Sequence, residues 1–587
     1  MFFLKRMLFY CTLLLTACTP PLDSEIQNSS LNTETRNSDL AVDDSAEPSL
    51  IDVNIVASET PPLLKEELPL ADEDVAESEM LPLPDPIDSA TPDMIMSEPE
   101  EETNAGKPSR NSGHSNNQAV NWQALIAKSS GNKYKVSTAS EFNAYAAIAQ
   151  PGDVILINDG VYSWGNLVVS SSGTKENPII YTALNPGKVT FKNASILFKV
   201  TGNWNIIGGF TINDITKHLF RVSGGTDNRL TDNIINRPGN DDYGTGYLEI
   251  TGNSNHTRFD HNTVIDGKAI IRVNVSNLNS FPQDVRIDNN TFRGAILKDA
   301  PGKRVIMAVL QVGQGNYYSG LIKDSKKRAA LLKALTELEV RTVFEYNTIE
   351  NFNGNTQETV SNKSSYNIYR YNKFINSNGG ISLRHGDYNQ VYGNSWKGGS
   401  GPESIFIKGS YNVVANNIID RPNGRGGISE SMWGFRPDNP FKNITPRTGN
   451  NIIAHNTIIA TRKDKWVFRV GYASGGSKEP IIESIYVNNI IMGEAQQLFD
   501  YRPAGCSGCV ITNNLYYAKG GNIPGSGYDY DQNPFLGDPR LNDYLPTESS
   551  ALVIDQASSL VLDSVGVDFL GENRKKREKP DLGAVEL

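Results

Sequence analysis

Cysteine is scarce in this chain, and so are long apolar runs. Only Cys11, Cys18, Cys506 and Cys509 occur in 587 residues. Cys506 and Cys509 form a single CxxC with no second pair, half of what a structural zinc site needs. No βαβ pattern surrounds them, which excludes a thioredoxin-like redox role. A local disulfide is then the plain expectation outside the cytoplasm. Past the N-terminal segment, no stretch approaches the roughly 20 apolar residues of a membrane-spanning helix, so none is expected.

The N-terminus has what the rest lacks. Lys5 and Arg6 precede an apolar run from Met7 to Leu15, interrupted only by Cys11 and Thr12. That length suits the core of a secretory signal and is too short to span a bilayer. The run ends in Leu15-Thr16-Ala17-Cys18, which resembles a bacterial lipobox. The resemblance implies removal of residues 1–17 and lipidation of Cys18. Thr19, not Asp, follows the cysteine, as in outer-membrane sorting signals. The expected location is therefore the outer membrane, with the lipid as the only membrane contact.

Residues 18–130 read as a tether. The stretch 19–103 holds 23 acidic and 2 basic side chains with almost no aromatics. Such a composition cannot bury enough apolar surface to offset its ordering entropy, and it repels itself into an extended chain. The tether also masks the charge of the C-terminal region. The whole chain carries −11. Setting aside residues 19–103 and the two basic residues of the signal leaves 51 basic against 43 acidic side chains, and three of those basic residues precede residue 131. A net positive domain over 131–587 favours a polyanionic partner.

That domain repeats itself. A short β-branched run followed or flanked by Asn recurs in DNRLTDNIIN, HTRFDHNTVID, YNIYRYNKFIN and GNNIIAHNTII, among others. Asn347, Asn372, Asn394 and Asn417 fall 25, 22 and 23 residues apart. The segments alternate like strands, which excludes helical repeats, and leucine does not occupy the positions of a leucine-rich repeat. Short strands, Asn/Gly turns and a period near 22 predict an all-β domain, a single-stranded right-handed parallel β-helix. Its asparagines suit turns, because Asn tolerates left-handed backbone, and can stack as a ladder. The open N-terminal end needs a cap. Ser140 is the expected N-cap of a helix running to Ala149. Lys323 to Val340 alternates charged and Leu/Ala residues at helical spacing and predicts a helical insertion.

One block, NGNTQETVSNKSSYNIYRYNKFINSNGGISLRHGDYNQVYGN over 353–394, concentrates candidate chemistry. Its SNKS and LRHG portions and the adjoining GDYNQVYGN resemble polysaccharide lyase family 6, the alginate lyase and chondroitinase B family. The N-terminal PGD segment and the terminal DLGAVE agree with the resemblance, which spans most of residues 135–587. It implies β-elimination on a uronic-acid polymer, with Lys363 as base and Arg384 as acid. The spacing fits: 21 residues is about one coil, so the two strands should be stacked neighbours, and adjacent cations lower a lysine's pKa toward that of a usable base. Lys408, 24 residues further on, extends the basic row, while the family's Arg two positions earlier is here Phe406. Strand alternation turns His385 inward if Arg384 faces the groove, leaving it a structural or a substrate-binding role.

The resemblance also implies calcium, held in part by carboxylates seven and five residues before the lysine. Those positions hold Thr356 and Glu358. One carboxylate is poor provision for an ion that takes six to eight oxygens. The expectation is therefore no metal and no cofactor, with Glu358 a substrate contact and Arg304, or Lys303, supplying the missing positive charge. The 421–448 insertion brings Arg425, Trp433 and Arg436, which would suit an acidic sugar or simply pack. Expected partners are an acidic polysaccharide and, through the lipid, a membrane, with no nucleic acid; a monomer is expected. Alginate is preferred to dermatan sulfate. A β-helix glycosidase would need paired Asp on adjacent coils, and Asp232 and Asp260 are scattered. A non-catalytic glycan-binding surface protein is the other alternative, distinguished by whether unsaturated uronate appears.

Overall fold

The computed structural model describes residues 120–587, except 238–246, 267–270, 295–307, 314–333, 335–336, 353–357, 402, 425, 433–447, 461–465, 474–479, 495 and 520–527. Strands run in three long parallel sheets of fourteen, twelve and fourteen described strands, and through most of their length a strand pairs with the one three later. Three strands thus make one coil, and the coils stack into a right-handed parallel β-helix. Inward residues of all three sheets form one continuous apolar core, from Val136 and Phe142 to Tyr516 and Ala518. Strands such as Leu248–Thr251 and Ile271–Asn274 alternate buried and half-buried residues, as a sheet with one face on the core requires.

The asparagines do form a ladder. The side-chain oxygen of each accepts from both the backbone and the side-chain nitrogen of the Asn one coil before it, from Asn233–Asn262 through Asn347–Asn372 to Asn489–Asn514. The left-handed residue of each turn is the one before the ladder Asn: Asp232, His261, Asn289, Tyr346, Tyr371 and His455 all have φ between 53° and 61°. Ladder and left-handed turn are therefore separate duties of adjacent residues. A second run, Asn367–Asn389–Asn412–Asn451, lies at another corner.

Helix α1 (Trp122–Lys128) falls inside the stretch expected to be tether, so the fold begins earlier than the composition indicates. Trp122 is buried against Val154, Leu156 and Ile180, and its indole N–H donates to Asp232 at 2.9 Å. Helix α2 (Ala139–Ile148) caps the N-terminal end with Phe142 and Ala146 buried. Its N-cap is Thr138, in a capping box with Glu141, and not Ser140, which lies within the first turn. Thr138 already has the extended backbone that an N-cap needs. Of the expected helical insertion, only Ala334 and Glu337 are described as helical and most of the rest lies outside the described residues. Cys506 and Cys509 are joined by a disulfide.

Candidate active site

Six strands of the twelve-stranded sheet frame the site: β1 (Leu310–Gly313), β2 (Glu358–Lys363), β3 (Gly380–His385), β4 (Ile405–Ile407), β5 (Ile428–Met432) and β6 (Trp466–Ala473). They are consecutive neighbours in that order. On β2, Val360 and Asn362 point into the helix, and Ser361 and Lys363 point out. On β3, Ile381 and Leu383 join the core, and Ser382 stands opposite Ser361.

The register then shifts. Asn362 pairs with Leu383, but Lys363 pairs with His385, leaving Arg384 as the extra residue of a bulge. Strict alternation, which would turn His385 inward, fails at this step, the second irregularity of the pair after one between Glu358 and Val360. His385 instead stands in register with Lys363, close enough to Lys363, Arg384 and Lys408 for all three charges to act on it. Burial first, then those three cations, hold its pKa well below the usual histidine value, so the ring is neutral at neutral pH.

Two features let the coils pinch here. Gly313, opposite Lys363, and Gly386, after His385, adopt φ of +100° and +97°. A side chain on either would collide with the backbone carbonyl of the adjacent coil, at Lys363 and Ser364 respectively. Asn362 ties the strands together from inside. Its amide donates to the carbonyls of Ser364 and His385, both at 2.9 Å, and its oxygen accepts from the Tyr369 hydroxyl at 2.8 Å. The SNKS motif pointed to the lysine; that its Asn fixes the backbone on both sides of the site emerges only from the fold.

Arg384 reaches back to Glu358 on the preceding coil, with Nε 3.3 Å from Oε1. Lys363 is 6% exposed. Lys408 comes just after β4, its ammonium 5.0 Å from the centre of the Phe406 ring. Burial and then the Arg384 charge lower its pKa to about 8, against the opposing pull of Glu358 and Glu403. Lys363, Arg384, His385, Lys408 and Glu358 are thus gathered on three successive coils, spaced by about 4.8 Å. Arg304, Lys303, Thr356, Arg425, Trp433 and Arg436 lie outside the described residues.

A family model, Chondroitinase B, matches residues 136–532. The chain belongs to this family, polysaccharide lyase family 6. A search of the curated proteins gives no match. Among solved structures, a mannuronic acid specific family 6 lyase from human gut microbiota is similar at 20% identity and TM-score 0.53, over 70% of this chain and 93% of that one. The family 6 alginate lyase AlyGC is similar at 19% identity and TM-score 0.56, over 78% of this chain and 59% of that one. Family 6 membership makes the substrate class an acidic polysaccharide. The cationic cluster suits such a polymer.

Among the described residues, the provision for calcium is thin. Glu358, the one carboxylate left at the expected positions, faces the Arg384 guanidinium. Among the described residues no three His, Cys, Asp or Glu side chains come together as a metal site. One described carboxylate, already facing an arginine, gives a divalent ion little reason to shed its water.

Proposed function

We propose that this family 6 lyase cleaves a uronic-acid polymer by β-elimination in the groove of the twelve-stranded sheet. Alginate is the preferred substrate over dermatan sulfate, in keeping with the substrates named for the two similar structures. The observation that carries the reading is the convergence of Lys363, Arg384, His385 and Lys408 on three successive coils around one strip of groove.

Lys363, as the free amine, takes the C5 proton. The C–H electron pair forms the C4–C5 double bond, the C4–O bond breaks, and Arg384 donates a proton to the departing oxygen. Charge that builds on the uronate carboxylate is met by the Lys408 ammonium and by a hydrogen bond from neutral His385. Glu358 holds the Arg384 guanidinium from the preceding coil. No step is assigned to a metal. Lipidation at Cys18 would hold the enzyme at the outer membrane, with the acidic stretch as spacer.

The test is incubation of the purified protein with polymannuronate, polyguluronate, mixed alginate and dermatan sulfate. Ultraviolet absorbance of unsaturated uronate is monitored, and products are sized. The expected result is unsaturated oligosaccharide from at least one alginate. A glycan-binding protein without catalysis would give none from any of the four.

A further inference from the structure

The twelve-stranded sheet continues past the cationic cluster. Register carries one row of outward positions from Ser382 through Phe406 and Ser429 to Arg469 on β6. Arg469 stands three coils beyond the strand of Arg384, roughly 14 Å away at about 4.8 Å per coil. Its surroundings differ from those of an ordinary surface arginine. The guanidinium carbon lies 4.3 Å from the centre of the Trp466 ring and 4.5 Å from that of Tyr472. Its Nε is held by Asp500 at 3.0 Å, and Arg502 stacks on Tyr472 at 4.8 Å.

The aromatic contacts and the Asp500 bond fix the plane of the guanidinium. Its terminal amino groups make no hydrogen bond among the described residues, and the side chain is 19% exposed. Burial draws its pKa down in spite of Asp500. A rigid, partly desolvated fork of this kind matches a carboxylate in two-point geometry. A 1,4-linked uronate advances its chain by about the height of one coil, so a polymer lying along the groove brings a sugar to each strand.

We infer that Arg469, clamped by Trp466, Tyr472 and Asp500, is a distal subsite that grips the carboxylate of a uronate about three sugars from the bond that breaks. The inference rests on the groove being the polymer track of the proposed lyase. It makes Arg469 a determinant of chain-length preference rather than of the chemical step.

The test uses the full chain with Lys363→Ala, so that ligand is not consumed. Binding of a mannuronate hexamer and a mannuronate trimer is measured by calorimetry, with and without Arg469→Lys. Lysine keeps the charge and the Asp500 partner, so the fold should persist, as thermal unfolding will report. Hexamer binding should weaken by about tenfold or more, the scale of one lost charge-assisted hydrogen bond. Trimer binding should not change, because a trimer seated at Arg384 ends short of Arg469. Equal losses for both ligands, no loss for the hexamer, or no hexamer binding to Lys363→Ala alone would each overturn the assignment. The lyase reading is checked separately, by unsaturated product from the wild type, and its failure leaves the binding comparison intact.

Discussion

Lys363 is paired across the sheet with His385, not with Arg384. The bulge frees Arg384 from the ladder, and its guanidinium lies against Glu358 at 3.3 Å. Base and acid of the proposed reaction therefore sit on adjacent coils in two different backbone settings, one locked in register and the other displaced from it.

If the two act as one unit, Lys363→Ala and Arg384→Ala should each remove nearly all turnover while the fold persists. The double variant should be little worse than either single one, because such groups are strongly non-additive. Appreciable formation of unsaturated product by Lys363→Ala would sink the mechanism.

The ion pair with Glu358 gives a second expectation. Glu358→Gln should lower kcat by about tenfold to a hundredfold through a misplaced Arg384, with a smaller effect on KM. Treatment with EDTA should leave the wild type unchanged. Activity abolished by EDTA and restored by calcium would mean that Glu358 serves a metal after all.

Lys408 should leave its mark on the pH profile. A lysine whose pKa is lowered to about 8 is cationic below that pH and neutral above it. Its attraction for the substrate carboxylate is then lost as pH rises through about 8. KM for the polymer should climb over that range in the wild type. In Lys408→Arg, which stays charged, the climb should shift to higher pH; superimposable profiles would exclude the role.

The ladder can be broken at Asn372. This side chain accepts from the backbone and side-chain nitrogens of Asn347, both at 3.0 Å, and donates to the Phe344 carbonyl at 2.8 Å. Asn372→Ala strands these buried groups and should destabilise the domain by on the order of 3 kcal/mol, given about 1–3 kcal/mol per unsatisfied buried group. Denaturant unfolding measures it; a loss below about 0.5 kcal/mol, the range of ordinary surface substitutions, would mean that the ladder carries little of the stability.

Cys18→Ser should move the protein from the membrane fraction to the soluble one without loss of specific activity. Firm membrane association of the variant would refute lipidation at that residue.

Much of this architecture was legible in the sequence because a solenoid writes its period into the chain. The spacing of Asn347, Asn372, Asn394 and Asn417 exposed the coil, and SNKS and LRHG marked the groove. What escaped were features made by contacts distant in sequence. Helix α1 has seven residues beside an acidic stretch, and only the docking of Trp122 on Val154 and Ile180 explains it. The bulge at Arg384 depends on Gly386, and on Asn362 holding the carbonyls of two coils, so strict alternation misplaced His385. Arg469 carries no motif in the sequence, and only the fold sets Trp466 and Tyr472 against it.

From the strand Asn205–Gly208 onward, the link from the first sheet to the third is always two residues, while the links flanking the groove sheet vary in length. Asn290 and Asn347 are bonded neighbours although 57 residues separate them, and so are Asn417 and Asn456 across 39. The spine counts turns and ignores how much chain each turn spends. Evolution, or a protein engineer, can therefore rebuild the groove walls loop by loop and alter which polymer is accepted, while one untouched corner keeps every coil in step.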